Sequence, residues 1–114
     1  MSAARYNLII DQGTDFALEF IVKESGTAKN LSGYNARAQL RPTKDSSTLT
    51  ETFTCTIQDG SVTGKIKAAL TSSETSAVSA GRYFYDLELF TTGGTAIVTR
   101  LLEGTVTITQ EVTR

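Results

Sequence analysis

Apolar and polar residues alternate with a period of two through nearly every segment of this chain, and this alternation constrains its fold more than any other feature. Successive side chains of a strand point to opposite faces, so the pattern is typical of antiparallel strands with one face toward a core and one toward water. The predicted inward sets are Phe16, Leu18, Phe20 and Val22; Tyr34, Ala36, Ala38 and Leu40; Phe53, Cys55 and Ile57; Val62, Gly64, Ile66, Ala68 and Leu70; and Tyr83, Tyr85, Leu87 and Leu89.

Turn residues separate these strands. Gln58–Ser61 and Thr92–Thr95 are expected to close hairpins. Pro42 ends the strand before it, because proline has no N–H to donate to a ladder. Gly104 is expected to break the pattern before a last strand over Thr105–Thr109.

The one helical signal is a capping box. In Thr71-Ser72-Ser73-Glu74 the Thr71 hydroxyl can accept the backbone N–H of Glu74 while the Glu74 carboxylate reaches back, which predicts a short helical turn between residues 71 and 78. About eight strands at this spacing predict an all-β fold class, an antiparallel β-sandwich, because two sheets with one apolar face each can cover one another. At 114 residues, we expect one domain over residues 1–114.

Composition narrows the possible partners. The formal net charge is −1 and the basic residues are scattered, so neither nucleic acid nor an acidic membrane is expected as a partner. The chain has neither a signal-peptide pattern nor an apolar run approaching the roughly 20 residues of a membrane helix, so synthesis in the cytosol is expected. Cys55 is the one cysteine, which leaves no internal disulfide, and we interpret it as a small buried apolar residue.

Few residues suit catalysis or metal binding. The chain has no histidine, which excludes the usual serine and cysteine triads and leaves too few ligands for zinc. Asp11, Asp15 and Asp59 lie near predicted turns, but their spacing is not that of a calcium loop. We therefore expect no metal and no cofactor.

Asp86 and Glu88 form the remaining candidate pair. At i and i+2 on a strand they share a face, and paired carboxylates can hydrolyse glycosides. The same spacing also arises on any charged, solvated strand face, and this second interpretation is favoured, so neither an enzyme nor a catalytic residue is predicted. Phe84 and Phe90 lie on the same face, and an opposing subunit or a flanking loop is expected to cover them.

One segment resembles a corner of immunoglobulin-like domains. Ser73 to Tyr85 (SETSAVSAGRYFY) has the helical turn, the glycine and the tyrosine that begin strand F in that family. The resemblance implies an Ig-like sandwich in which Tyr83 is the corner tyrosine, with its hydroxyl bonded to nearby backbone. Tyr85 stands where the family usually has a cysteine.

A second resemblance runs along nearly the whole chain. It rests on Tyr6-Asn7-Leu8 with Asp11-Gln12-Gly13, Asn30–Tyr34 with Ala36-Arg37, Gly81–Leu89, Arg100–Gly104 and Glu111–Arg114. These segments are similar to small β-sandwich virion structural proteins of tailed bacteriophages and prophages. The resemblance implies a non-enzymatic assembly protein located in the virion: a capsid cement (decoration) protein or a tail or baseplate component. Its partners would be major capsid or tail proteins and copies of itself. A host-receptor or carbohydrate-binding module is the alternative.

Such a protein acts through its surface. The expected contact segments are the N-terminal stretch from Arg5 to Ile10, which includes Tyr6, the loop Pro42–Ser47, and the outward strand face. That face carries Phe84, Asp86, Glu88 and Phe90.

Overall fold

The computed structural model describes residues 4–24, 26–58, 63–91, 94 and 97–113. Within these ranges the chain forms ten strands and one short helix. The strands are β1 (Ala4–Arg5), β2 (Leu8–Asp11), β3 (Phe16–Ile21), β4 (Lys23–Glu24), β5 (Thr27–Ala28), β6 (Tyr34–Arg41), β7 (Glu51–Gln58), β8 (Lys65–Leu70), β9 (Gly81–Thr91) and β10 (Val98–Thr109), and the helix α1 is Ser72–Ser76. The predicted all-β class with one short helix is confirmed.

Most strands belong to one curled sheet. Its order is β1-β10-β9-β6-β7-β8-β3, with β2 also beside β10, while β4 and β5 form a separate small hairpin. Strand β7 makes the bend: its first part, including Phe53, pairs with β6, and the part from Thr54 to Gln58 pairs with β8. The two halves of the sheet therefore lie against each other as the layers of a sandwich.

The core lies between these halves. Leu40 on β6, Ile66 on β8 and Val106 on β10 are completely buried, and the edge strand β3 adds Phe16 and Leu18 from the other half. The inward positions predicted from the alternation are buried or half-buried wherever they are described, whereas intervening residues such as Ala17 and Glu19 are exposed. Val62 lies outside the described residues, as do parts of the predicted turns Gln58–Ser61 and Thr92–Thr95.

The prediction that Gly104 breaks a strand is wrong. Strand β10 continues through Gly104, with a bulge between Arg100 and Leu102. Gly104 is buried because the N-terminal segment crosses directly over it, and a Cβ there would collide with the carbonyl oxygen of Tyr6. The glycine is explained by this close approach of two backbones and not by a turn.

One edge of the otherwise antiparallel sheet has parallel pairing. The N-terminal segment forms the two short strands β1 and β2, and both run parallel to β10. Parallel neighbours need a long connection, which here is almost the whole chain between the first strand and the last. Pairing between sequence ends leaves no local signal, so the alternation could not reveal it.

The capping box is present as predicted, on a helix shorter than residues 71–78. The Glu74 N–H donates to Thr71 Oγ1 at 3.2 Å and the Thr71 N–H donates to Glu74 Oε1 at 2.8 Å. Inside the helix, Thr75 is fully buried, and its Oγ1 accepts from the Gly13 N–H at 3.0 Å and donates to the Thr14 carbonyl at 2.8 Å. This side chain ties α1 to the turn between β2 and β3.

Candidate functional site

The central surface feature is the solvent-facing side of β9 and its two neighbours, called here the outer face. It contains Arg37, Gln39 and Arg41 from β6, Arg82, Phe84, Asp86, Glu88 and Phe90 from β9, and Arg100 and Glu103 from β10. Their positions follow from register, since residues directly opposite each other on paired strands share a face. The four predicted contact residues of β9 therefore lie together in one row.

Ion pairs link the middle of the outer face. Arg37 Nε lies 2.9 Å from Glu88 Oε1. Arg100 lies between two carboxylates, with Nε 3.3 Å from Asp86 Oδ2 and Nη1 3.6 Å from Glu103 Oε1. Both arginine side chains are about half exposed, so each pair is expected to stabilise the fold by less than about 1 kcal/mol.

Asp86 has a perturbed environment. Desolvation is the largest cause that raises its pKa above the ordinary value of 3.8, and the Glu88 and Glu103 charges raise it further, while the charges of Arg100 and Arg41 lower it. Perturbed carboxylate pKa values occur at catalytic sites, but burial and neighbouring charges in a structural network also perturb them. With Asp86 and Glu88 each held by an arginine, the pair has the arrangement of a cross-strand charge ladder.

Phe90 and Phe84 have different surroundings. The Arg37 guanidinium carbon lies 4.6 Å from the centre of the Phe90 ring, so a side chain of the neighbouring strand β6 packs against this ring. Phe84 is half-buried in an open hollow of about 290 Å³, whose wall includes Arg41 of β6 and Thr43 and Lys44 of the following loop. The predicted contact loop Pro42–Ser47 thus adjoins the Phe84 end of the face.

The N-terminal segment adjoins the opposite side. Arg5 of β1 is in register with Glu103, which extends the outer face by one strand. Tyr6 follows: its N–H donates to the Glu103 carbonyl at 2.9 Å, and its own carbonyl accepts the Tyr85 hydroxyl at 2.6 Å. Burial raises the pKa of Tyr85 to about 12, so this hydroxyl keeps its proton and remains a donor. The three segments expected to make contacts therefore converge on one side of the molecule.

Tyr83 lies near the start of β9, where α1 leads into the sheet. Its hydroxyl donates to the Ser79 carbonyl at 2.8 Å, and its ring packs against the main core. This is the hydrogen bond that a corner tyrosine makes.

Some residues of the outer face were not identified as site residues from sequence. Alternation places Arg37 and Arg41 on the solvent face of their strand, but the pairing of that strand with β9 depends on a contact between distant parts of the chain. Arg100 and Glu103 are three positions apart and would point to opposite faces of a regular strand. The bulge between Arg100 and Leu102 brings them to the same face.

The candidate calcium ligands have structural roles. Asp11 Oδ1 accepts from the Thr109 hydroxyl at 2.7 Å, and Asp15 Oδ1 accepts from the Ser72 N–H at 2.8 Å. Asp59 lies outside the described residues. Within the described ranges, histidine, cysteine and acidic side chains form no cluster of three or more that could hold a metal ion.

Two further features concern reactivity and membranes. Cys55 is half-buried, and desolvation raises the pKa of its thiol to about 11, so it is a protonated thiol at neutral pH. The one helix of the described chain, Ser72–Ser76, is too short to span a bilayer.

Comparison with known proteins gives limited similarity. No protein-family model matches the chain, and no curated protein matches it. Among solved structures, it is similar to the second Ig domain of the mouse polymeric immunoglobulin receptor, with 12% identity, coverage of 97% of this chain and 100% of that one, and a TM-score of 0.41. It is also similar to a nucleoside hydrolase-related hypothetical protein from Saccharophagus degradans associated with carbohydrate metabolism. That match has 13% identity, covers 92% of this chain and 22% of the other, and has a TM-score of 0.39. Likenesses of this size carry no conclusion about function.

Proposed function

We propose that this chain is a non-enzymatic structural protein of a tailed-bacteriophage virion. It binds and stabilises neighbouring virion subunits, either as a capsid cement protein or as a tail or baseplate component. Its partners are other virion proteins and copies of itself. The resemblance along nearly the whole sequence suggests the virion, and the arrangement of the outer face supports a contact role.

The observation that carries the proposal is the convergence of three surface segments. The N-terminal segment around Arg5, the loop Pro42–Ser47 and the β9 row with Phe84 were expected separately from sequence, and they adjoin one another on one side of the fold. A protein that docks by one side can bind repeatedly on a symmetric particle, where each bound copy raises the effective concentration of the next contact.

The chemistry of the face supports docking over catalysis. Arg100 holds Asp86 and Arg37 holds Glu88, so both carboxylates are committed to ion pairs on an open surface. General acid and base groups of glycosidases work in a cleft around the substrate. The hollow beside Phe84 is open to solvent and lined by charged side chains of both signs.

Glycan or receptor binding is the competing function. Sugar-binding sandwiches use flat exposed aromatic rings, and this chain has no tryptophan. On the outer face, Arg37 lies over the Phe90 ring. The Phe84 ring is half-buried. A glycan array separates the two functions. A glycan bound specifically and well above background would favour the receptor- or carbohydrate-binding module over the assembly protein.

Purified particles provide the direct test. Phage is produced from the bacterial strain that carries the gene, banded on a density gradient and analysed by quantitative mass spectrometry. We expect the chain at a fixed ratio to the major capsid or tail protein. Recovery with heads supports the cement role, and recovery with tails alone supports the tail role. Absence from both fractions would contradict the proposal.

A matched pair of variants tests whether the outer face makes the contact. We expect Phe84→Ser to lower incorporation into particles, whereas Thr54→Ser on an exposed part of β7 should incorporate normally. Thermal unfolding of both isolated proteins separates a lost contact from a lost fold.

A further inference from the structure

The Phe84 end of the outer face is basic. Arg41 lies directly opposite Phe84 in the β6–β9 register, and Lys44 lines the same hollow. Arg82 stands two positions before Phe84 on the same face of β9 and is exposed. Three cationic side chains therefore flank one aromatic ring at the end of the sheet.

These cations differ from the arginines in the middle of the face. Arg37 and Arg100 are paired with carboxylates, whereas the hydrogen bonds of Arg41 go to uncharged oxygens: Gln39 Oε1 at 2.9 Å and the Ser46 carbonyl at 3.3 Å. Among the residues that the structure describes, neither Lys44 nor Arg82 has an ion-pair partner.

The basic end does not reflect a general excess of basic residues. The chain has 11 basic and 12 acidic residues, so positive charge at one place is balanced by negative charge elsewhere. The nearest described acid in the loop, Asp45, accepts a hydrogen bond from the Thr43 hydroxyl at 3.0 Å. Unpaired cations on an otherwise neutral protein attract a ligand of opposite charge and orient its approach.

The size and shape of the hollow indicate a small acidic group. A volume of about 290 Å³ is at or below the lower end for small-molecule and cofactor sites, which are also more enclosed and more apolar. Phe84 supplies an apolar patch on which aliphatic atoms can pack. Arg41 and Lys44 supply donors for carboxylate oxygens at its edge.

Carboxylates on the other side of the hollow exclude a long polyanion. Asp86, Glu88 and Glu103 line that side together with Arg100, and a nucleic acid strand following the sheet would approach these carboxylates. Nucleic acid sites need a continuous basic stripe, with several phosphates neutralised. A protein segment with one or two carboxylates fits the basic end without extending over the acids.

We propose that the Phe84 end of the outer face binds an acidic segment of a partner protein, with carboxylates against Arg41, Lys44 and Arg82 and neighbouring apolar atoms on Phe84. The inference rests on charge and geometry alone and holds whether or not the partner belongs to a virion. It identifies the chemistry of the partner, which the proposed function leaves open.

Amide chemical shifts of the isolated protein test this inference. The probe is a short peptide of alternating aspartate and leucine, with blocked ends, and the reference is the same peptide with asparagine in place of aspartate. At an ionic strength of about 0.05 M we expect saturating shifts at residues 41–46 and 82–86, and weaker binding at about 0.3 M because salt screens exposed charges. Equal shifts with the uncharged peptide, or no saturable shifts, would overturn the inference.

Two double variants provide the matched comparison. Lys44→Gln with Arg82→Gln should weaken binding of the acidic peptide by about tenfold or more. Lys23→Gln with Lys67→Gln removes the same charge from the other half of the fold and should leave binding unchanged. Equal losses of affinity in both double variants would mean that binding depends on net charge alone, which would overturn the inference. Tighter binding of an oligothymidylate than of the acidic peptide would also overturn the inference, because nucleic acid would then be the preferred ligand.

Discussion

Replacement of Gly104 by alanine tests how the N-terminal segment is held. Gly104 lies in the middle of β10 and has no positive φ, so local backbone preference alone would make Gly104→Ala stabilising by roughly 0.5–1 kcal/mol. The structure predicts the opposite sign. An added Cβ would lie 2.8 Å from Asn7 Oδ1 and 2.9 Å from the carbonyl carbon of Tyr6, and it would collide with the Tyr6 oxygen.

The size of the effect follows from what must move. Relief of the collision requires a shift of about 1 Å of the segment at Tyr6 and Asn7, since carbon contacts are ordinarily about 3.5–4 Å. The shift strains the bonds Tyr6 N–H to the Glu103 carbonyl (2.9 Å), Thr105 N–H to Asn7 Oδ1 (3.1 Å) and Tyr85 hydroxyl to the Tyr6 carbonyl (2.6 Å). At about 0.5–1.5 kcal/mol for each bond, the net loss of unfolding free energy should be about 1–3 kcal/mol.

Urea unfolding followed by circular dichroism measures this difference. We expect a lower midpoint for Gly104→Ala with an unchanged slope, because the same surface becomes exposed. The same substitution in a chain lacking residues 1–7 should be neutral or stabilising, since the colliding atoms are gone. A midpoint equal to or above that of the parent protein in the full chain would refute the close approach as the reason for the glycine.

Three further substitutions test other contacts. Tyr83→Phe removes the corner hydrogen bond and should lower the unfolding free energy by about 1 kcal/mol, whereas Tyr34→Phe should change it little; equal effects would remove the corner assignment. Thr75→Val keeps the shape of a fully buried side chain but leaves the Gly13 N–H and the Thr14 carbonyl without their partner. We expect the unfolding free energy to fall by about 1–3 kcal/mol in thermal or urea unfolding. The control Thr107→Val, at an exposed position, should change it little. Because desolvation raises the pKa of Asp86 above 3.8, the folded protein holds that proton more tightly than the unfolded chain. The stability of the parent protein relative to Asp86→Asn should therefore fall as pH rises through the window that begins near 3.8, and a rise there would contradict the direction of the shift.

Much of the layering of the fold is predictable because alternation is a local property. One face of each strand is apolar, so the sequence around Leu40 or Leu87 already indicates which side faces the core, and both residues are buried. The capping box at Thr71 is equally local, since its two hydrogen bonds join residues three positions apart. The outward position of Phe84, Asp86 and Glu88 followed from the same period.

The missed features depend on contacts between distant segments. Gly104 has the sequence signature of a strand break, and only the approach of Tyr6, nearly a hundred residues earlier, explains why the strand continues. The bulge after Arg100 changes the phase of β10, so parity along the sequence assigns Glu103 to the wrong side. The sharing of β7 between two halves of the sheet likewise depends on which strands find each other, and alternation carries no information about pairing.

The distribution of charge on the outer face indicates where a partner would dock. A partner that covered the middle would have to desolvate ion pairs already made by Arg37 and Arg100, and buried pairs often fail to recover that cost. At the Phe84 end, neither Arg41 nor Lys44 makes an ion pair with a carboxylate among the described residues, so an incoming acid can supply a direct partner. The same reasoning explains how the middle and the Phe84 end of one charged face can differ in use. Cations that are already neutralised stabilise the sheet weakly, whereas unpaired cations beside an aromatic ring favour an acidic ligand, which places the preferred contact at the loop end of the face.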